Sequence, residues 1–463
     1  MFDKSVYISR RERLREKVSG GILLFLGNNE SPCNYADNTY TFRQDSTFLY
    51  YFGLNQPGFA AVIDLDNGTE TVFGNDVNID DIIWMGPQPK VSEQAAQVGV
   101  TASAPFCKLE SVLKEAAAKG RRIHFLPQYR HDNRIYLNQV LGTAFGQMKE
   151  AASVEFIKAV VSMRLVKEPC EVEQLDLASN LGYVMHYSAM KAIRPGIKEQ
   201  ELVGVMEGVC TGGGRMTSFP TILSQHPEIM HNHSHDAVIT EGKLLVIDAG
   251  CEIASNYCSD HTRTWPTGGK YSTKQADIYT IVSTANQFAL ENARPGVTYR
   301  SIHLGASKII LQGLSNLGLV HGDTDEMTEA GVQGLFMPHG LGHNMGLDVH
   351  DMENLGENYV GYDDDQVRAK QLGLGSLRMA RVLKPGNVIT DEPGIYFIPA
   401  LIEKWKSEKH NAQYIDYNKL EDYYDLGGVR IEDDLLITEN GCRLLGAKRL
   451  PHTVAEVEEE MKQ

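Results

Sequence analysis

Residues 243–266 read KLLVIDAGCEIASNYCSDHTRTWP and contain the features that decide the predicted fold. The apolar run Leu244–Ile247 predicts a buried strand that ends at Asp248. The turn-forming composition of residues 254–256 predicts a hairpin centred near residue 254. In that register Asp248 lies directly across from Asp260, with Cβ atoms about 4.5–5.5 Å apart. Two carboxylates at that distance repel unless a cation or a shared proton lies between them, so the pair favours a metal site over two turn-forming aspartates.

Three histidines fall within twelve residues in the segment MPHGLGHNMGLDVH, residues 337–350. His339 and His343 have the i,i+4 spacing that suits a metal on a helix, but the proline and glycines around them oppose a regular helix. A single histidine here would more often be structural. Three of them, His350 included, in backbone that allows close approach predict the wall of a site.

Two further segments each contribute a glutamate. NVITDEPGIYF (387–397) places Glu392 after an apolar strand, and GGVRIEDDLLI (427–437) places Arg430 and Glu432 on one face of a strand. Each glutamate alone could be exposed or salt-bridged. Together with the aspartates and an imidazole they form an oxygen-rich donor set, which suits manganese, cobalt or iron better than a thiolate-preferring zinc site. Several carboxylates around two ions are typical of a dinuclear hydrolase.

The composition excludes several classes of protein. The chain has 463 residues, 42% of them hydrophobic, and a formal net charge of −16, which disfavours binding to nucleic acid or to anionic membranes. No apolar stretch approaches the 18 residues of a transmembrane helix. The seven cysteines are scattered and odd in number, which indicates reduced thiols rather than a disulfide framework and predicts a cytoplasmic protein.

The length predicts more than one domain. Pro169 suits the first turn of a long amphipathic helix, so we expect a smaller domain over residues 1–166 and a larger one over 167–463. Within the larger domain, two helical patterns end at Arg-Pro-Gly, at residues 194–196 and 294–296. The repetition suggests two similar α+β halves, and a cleft between such halves is a natural place for a site.

The ordered motifs resemble those of one peptidase family. The segments are VIDAG (246–250), HGLGH (339–343), DEPG (391–394) and GVRIED (428–433). They match the Xaa-Pro aminopeptidases (aminopeptidase P) and prolidases, which share the pita-bread fold with methionine aminopeptidase. The resemblance implies an α+β protein with a C-terminal pita-bread (creatinase/aminopeptidase-type) catalytic domain. It also implies a smaller mixed α/β N-terminal domain, through FRQDSTF (42–48) and Trp84. The Asp248–Asp260 loop is one residue longer than expected for the bacterial aminopeptidases.

The resemblance also implies a role for each matched position. The metal ligands would be Asp248, Asp260, His343, Glu392 and Glu432. Glu392 would also carry a proton as a catalytic residue, together with the catalytic histidines His339 and His350. The substrate would be bound by His231, His339, His350, Arg378 and Arg430. Arg378 matches an arginine that in prolidases meets the free carboxylate of the substrate.

The favoured function is a manganese-dependent Xaa-Pro aminopeptidase with two divalent ions, acting on peptides with proline second. The alternative is an Xaa-Pro dipeptidase, since residues 373–378 and the insertion 401–426 are prolidase-like, whereas residues 351–356 and Trp84 are aminopeptidase-like. The family further implies a homodimer or homotetramer in which Trp84 reaches a neighbour's cleft. A catalytically silent peptide-binding module and a metal-free creatinase-type hydrolase both predict missing ligands, yet all five are present.

Overall fold

The computed structural model describes residues 1–462, which form two compact units. The first unit comprises Met1–Arg164 together with Asn354–Tyr359. The second comprises Leu165–Glu353 and the chain from Val360 onward. Within residues 1–462, no helix is both long and apolar enough to cross a membrane.

The first unit is built on a five-stranded mixed sheet. In spatial order its strands are Ala102–Ala104, Thr69–Phe73, Ala60–Asp64, Ile22–Leu26 and Ile123–His124, and a small ribbon adds Pro32–Tyr35 and Asn38–Thr39. Its helices are Lys4–Arg15, Ser46–Phe52, Ile79–Met85, Val91–Gln97, Lys108–Ala118, His131–Leu141, Met148–Ala151 and Val154–Arg164. The strand Ile22–Leu26 is buried along its whole length, and Phe25 on it packs edge-on against Phe52 and Phe156, with ring centroids 5.2 Å away in each case. Apolar burial of this kind stabilises the sheet against its helices.

The second unit packs long helices against short antiparallel sheets. Its strands are Met216–Thr217, Ile222–Ser224, Leu244–Ala249, Cys251–Glu252, His261–Pro266, Val388–Asp391, Gly394–Tyr396, Gly428–Arg430, Asp433–Ile437 and Cys442–Leu444. Its helices are Pro169–Ala192, Glu199–Gly213, Thr273–Asn292, Tyr299–Asn316, Thr324–Ala330, Pro399–Glu408, Tyr417–Leu420 and Val454–Glu460. The one-turn helix Glu357–Gly361 begins in the segment that belongs to the first unit and ends in the second. As predicted, the first long helix begins at Pro169, where the missing N–H costs no helical hydrogen bond.

The two Arg-Pro-Gly segments occupy equivalent places in two repeated halves. The amide of Gly196 donates to the carbonyl of Ile239 (2.8 Å), and that of Gly296 donates to the carbonyl of Leu383 (3.0 Å). In each half the glycine lies between two long helices, and an antiparallel pair of strands follows the accepting residue. Asp248 and Glu392 each lie nine residues after the accepting residue of their half. The fold therefore brings one acidic residue from each half to corresponding positions.

The predicted hairpin register is wrong by one residue at its centre. Asp248 pairs with Thr262 rather than with Asp260, and Ala249 pairs with His261. The loop between the strands has three residues, 254–256, and ends with Asn256 in the left-handed region (φ 69°). The loop is therefore centred on residue 255 rather than 254, which moves the partner of Asp248 by two positions. Asp260 precedes Thr262 by two residues, so strand alternation still directs it to the same face as Asp248.

Candidate metal centre

All ten predicted site residues line one cavity of about 260 Å³ in the second unit. They are Asp248, Asp260, His343, Glu392, Glu432, His231, His339, His350, Arg378 and Arg430. Asp248 lies near the end of a strand, whereas Glu392 and Glu432 each lie in a two-residue gap between strands that are consecutive in the sequence. Such gaps end the regular backbone pairing and direct acidic side chains to one common space.

Three of these side chains converge most closely. Single donor atoms of Asp260, His343 and Glu432 all lie within 4.8 Å of one another, and all three residues are buried. The Nε2 atom of His343 is 3.3 Å from Oδ2 of Asp260. Carboxylate oxygens and one imidazole nitrogen at such distances form a donor set for a hard or borderline divalent cation. Asp248 and Glu392 face the same cavity but lie outside this closest group.

The backbone fixes the His343 ring in the orientation that metal binding needs. Nδ1 of His343 donates to the carbonyl of Asn344 (3.0 Å), so the lone pair of the neutral ring is on Nε2, on the side of Asp260. Burial lowers the pKa of His343 well below its usual value, which keeps the imidazole neutral. The glycine before it is required, because a Cβ at Gly342 would lie 2.0 Å from the carbonyl oxygen of Thr390.

The buried carboxylates repel one another, and a bound cation would balance their negative charge. Burial, followed by the charge of Glu432, raises the pKa of Asp260 well above its usual value, and burial likewise raises the pKa of Glu432. One oxygen of Asp248 and one of Asp260 are buried without a hydrogen-bond partner among the described residues. Buried carboxylates without partners are costly unless they coordinate a metal. The residues present therefore fit a divalent metal site.

A chain of hydrogen bonds connects Arg430 to the donor set. Its guanidinium donates to Oδ2 of Asp248 and, through Nε, to Oγ1 of Thr262 (3.2 Å). Thr262 in turn donates to Oε2 of Glu432 (2.8 Å). A third guanidinium nitrogen donates to the hydroxyl of Tyr396 (2.7 Å). Arg430 thus holds two of the predicted ligands in place through its planar set of donors.

Both ring nitrogens of His339 are engaged with the protein. Nδ1 donates to the carbonyl of Gly340 (2.8 Å), and Nε2 accepts from the hydroxyl of Tyr396 (3.0 Å). Burial lowers the pKa of His339 to about 3, so the ring is neutral at physiological pH. The Tyr396 hydroxyl therefore links His339 to Arg430.

His350 and Arg378 are joined by an acidic residue that the sequence interpretation did not assign. Nδ1 of His350 donates to the carboxylate of Glu353, and Nε of Arg378 lies 3.3 Å from each oxygen of that carboxylate. The His350 ring also packs against that of His343, with centroids 3.9 Å apart. His350, Glu353 and Arg378 therefore orient one another beside the predicted metal ligands.

Several other contributors to the site were missed from the sequence. Thr262, Glu353 and Tyr396 lie in or beside the quoted motifs, but their one-dimensional pattern gives no sign of their partners. Most of the apolar cavity wall comes from residues 219–230, with Phe219, Pro220, Ile222 and Met230, and Val349 adds to it from the segment 337–350. Alternation on the strands could have identified Thr262, because it lies on the same hairpin face as Asp248.

The geometry described so far defines a buried, carboxylate-rich centre of the type found in metal-dependent hydrolases. Comparison with known proteins gives a narrower class. Residues 173–439 match metallopeptidase family M24, and residues 7–124 match the aminopeptidase P N-terminal domain.

Full-length relatives agree with these matches. Human Xaa-Pro dipeptidase is 31% identical over 98% of this chain and 92% of its own length. A probable Xaa-Pro aminopeptidase of Verticillium alfalfae is also 31% identical, over 97% of this chain and 94% of its own length. Pseudomonas aeruginosa aminopeptidase PepP aligns with a TM-score of 0.82 and 28% identity over 99% of this chain and 98% of its own. A substrate complex of Escherichia coli aminopeptidase P aligns with a TM-score of 0.81 and 27% identity over the same shares.

The chain belongs to metallopeptidase family M24, in the group of Xaa-Pro aminopeptidases and prolidases. Its fold is therefore an aminopeptidase P-type N-terminal domain followed by a pita-bread catalytic domain, as the sequence predicted.

Proposed function

We propose that this chain is a dinuclear Xaa-Pro aminopeptidase, which removes the first residue from peptides that have proline in second position. The observation that carries the proposal is the convergence of five donor residues on one cavity, where one oxygen each of Asp248 and Asp260 is buried with no hydrogen-bond partner in residues 1–462. We assign Asp248, Asp260, His343, Glu392 and Glu432 as the metal ligands. The oxygen-rich donor set supports manganese as the metal.

The proposed role of each side chain in catalysis follows from its contacts. Two bound divalent ions would supply an activated water and polarisation of the scissile carbonyl. Glu392 would carry the proton to the leaving proline nitrogen, and burial raises the pKa of Glu392 to about 8, toward the value that suits a proton carrier near neutral pH. We assign His231, His339, His350, Arg378 and Arg430 to the substrate side, with His339 and His350 also catalytic.

The chemistry of the Xaa–Pro bond supports this assignment. The bond is a tertiary amide without an N–H, so a peptidase cannot hold it by that proton, but its nitrogen becomes basic once it is pyramidal. An acid must therefore deliver a proton to it. Glu392 Oε2 lies 3.7 Å from Nδ1 of His339, at the same cavity wall as the remaining ligands.

The alternative is an Xaa-Pro dipeptidase. The human relative named above bears that name, whereas the solved structures named above are aminopeptidases. The five proposed ligands do not separate the two activities, because hydrolysis of the bond needs the same chemistry in both. The two activities differ in whether the site accepts a substrate with a free carboxylate directly after the proline.

The remaining expectations concern the whole chain. We propose residues 1–166 as the N-terminal domain and residues 167–463 as the catalytic domain, in a cytoplasmic homodimer or homotetramer. Trp84 is 86% exposed on the helix Ile79–Met85 of the first unit, and neighbouring Ile83 and Met85 are exposed as well. An exposed apolar surface of this kind supports contact with a second copy of the chain.

Removing and restoring the metal tests the proposed activity. We expect chelated protein to be inactive and Mn²⁺ to restore hydrolysis of both Ala-Pro and Ala-Pro-Ala, because the donor set is oxygen-rich and the carboxylates need a cation. The measurement is kcat/KM on the two substrates, with Zn²⁺ and Mg²⁺ as comparison metals. Negligible cleavage of the tripeptide alongside rapid cleavage of the dipeptide would replace the aminopeptidase with the prolidase. No cleavage of either would refute both.

A further inference from the structure

Glu353 contacts two cavity-lining residues without lining the cavity itself. Its carboxylate accepts a hydrogen bond from Nδ1 of His350 and lies 3.3 Å from Nε of Arg378. The side chains of His350, Glu353 and Arg378 are each a little over one-third exposed. Glu353 has no part in the metal set or in the substrate roles assigned above.

The contact between Glu353 and Arg378 matters because few other positive charges at the cavity are available to a ligand. Arg430 is ion-paired with Asp248, so its charge is committed to the donor set. The other basic residues that line the cavity are histidines, which carry no permanent charge. Among the described residues that line the cavity, Arg378 is then the remaining permanent cation that an anionic group on a ligand could approach.

Glu353 opposes that approach in two ways. Its negative charge, which the hydrogen bond from His350 stabilises, offsets the charge of Arg378. Its two oxygens also occupy the Nε edge of the guanidinium, which is one of the edges that bind a carboxylate with two parallel hydrogen bonds. A neutral amide at position 353 would remove the opposing charge and would leave only one acceptor oxygen at the Nε edge.

We propose that Glu353 is a specificity-determining residue that disfavours substrates ending in a free carboxylate directly after proline. It thereby directs the site toward peptides that continue beyond the proline. The inference rests on the proposed function, because it concerns which Xaa-Pro substrates the same site accepts. Glu353 acts through Arg378, and it does not touch the scissile bond.

The test compares the wild type with Glu353→Gln, which keeps the size of the side chain and removes its charge. We expect kcat/KM for Ala-Pro to rise about tenfold, mainly through KM, as one charge-assisted contact becomes available to the substrate carboxylate. The value for Ala-Pro-Ala, whose proline is followed by an amide, should change less than about threefold. Glu439→Gln, an exposed substitution away from the cavity, is the matched control and should change neither value.

A double variant separates an effect through Arg378 from a general disturbance. In an Arg378→Ala background, Glu353→Gln should no longer change the ratio of the two kcat/KM values. Metal content and melting temperature of each variant are measured alongside. An unchanged ratio, an equal fall on both substrates, or a ratio that still shifts without Arg378 would each overturn the inference. The wild-type rate on Ala-Pro-Ala tests the proposed function separately, because an inactive tripeptide refutes the aminopeptidase while the dipeptide KM still reports the effect of Glu353.

Discussion

Asp260→Asn should reduce kcat/KM on Xaa-Pro peptides by at least about a thousandfold and lower the metal bound per chain. Asp260 is buried, and its carboxylate belongs to the closest donor group, with His343 and Glu432. An amide retains one oxygen but lacks the charge that balances a divalent cation. The measurements are steady-state kinetics with saturating Mn²⁺ and elemental analysis of the dialysed protein.

The same substitution should leave the metal-free protein folded. It removes one of several mutually repelling buried carboxylates, so the melting temperature of the apo form should be equal to or higher than that of the wild type. Asp277→Asn, an exposed substitution on the helix Thr273–Asn292, is the control and should preserve both activity and metal content. Unchanged turnover in Asp260→Asn would favour a metal-free hydrolase, and unchanged metal content would remove Asp260 from the ligand set.

Glu392→Gln should lower kcat by about a thousandfold with a much smaller change in KM, because the proposed role of Glu392 is to deliver a proton. An amide keeps an oxygen near the metals and cannot carry that proton. Metal content should fall less than in Asp260→Asn, since Glu392 lies outside the closest donor group. The measurement is kcat and KM on Ala-Pro-Ala across pH, with Glu439→Gln again as the control.

The two variants distinguish a ligand from a proton carrier. A loss of metal equal to that of Asp260→Asn would make Glu392 chiefly a ligand. Retention of wild-type kcat would assign the proton transfer to another group. The candidates for that group are the side chains at the same wall, including His339, whose two ring nitrogens are already engaged by Gly340 and Tyr396.

The sequence predicted the components of the site better than their arrangement. Apolar runs ending in acidic residues at 248 and 392 identified strand ends, because burial of both faces leaves few places for a carboxylate. The glycine-rich segment 337–350 indicated three of the histidines, and strand alternation placed Arg430 beside Glu432. The family resemblance alone indicated His231 and Arg378. The exact cross-strand partner of Asp248 could not be predicted, because it depends on Asn256 adopting a left-handed conformation in the loop.

Contacts between segments that lie far apart in the sequence could not be predicted either. Glu353 meets Arg378 across 25 positions, and Tyr396 joins His339 to Arg430 across still longer separations. Neither contact follows from periodicity, since each depends on how irregular loops fold back over the strands. The repeated Arg-Pro-Gly segments, in contrast, correctly indicated two equivalent halves, because glycine and proline end helices at fixed points.

Anomalous diffraction from crystals grown with Mn²⁺ would test the two-metal assignment most directly. We expect two peaks in the cavity, about 3.5–4 Å apart, contacted by the side chains of the five proposed ligands. The ligands are Asp248, Asp260, His343, Glu392 and Glu432. A single peak, or two peaks from which any of these five side chains is turned away, would contradict the dinuclear centre on which the proposed activity depends.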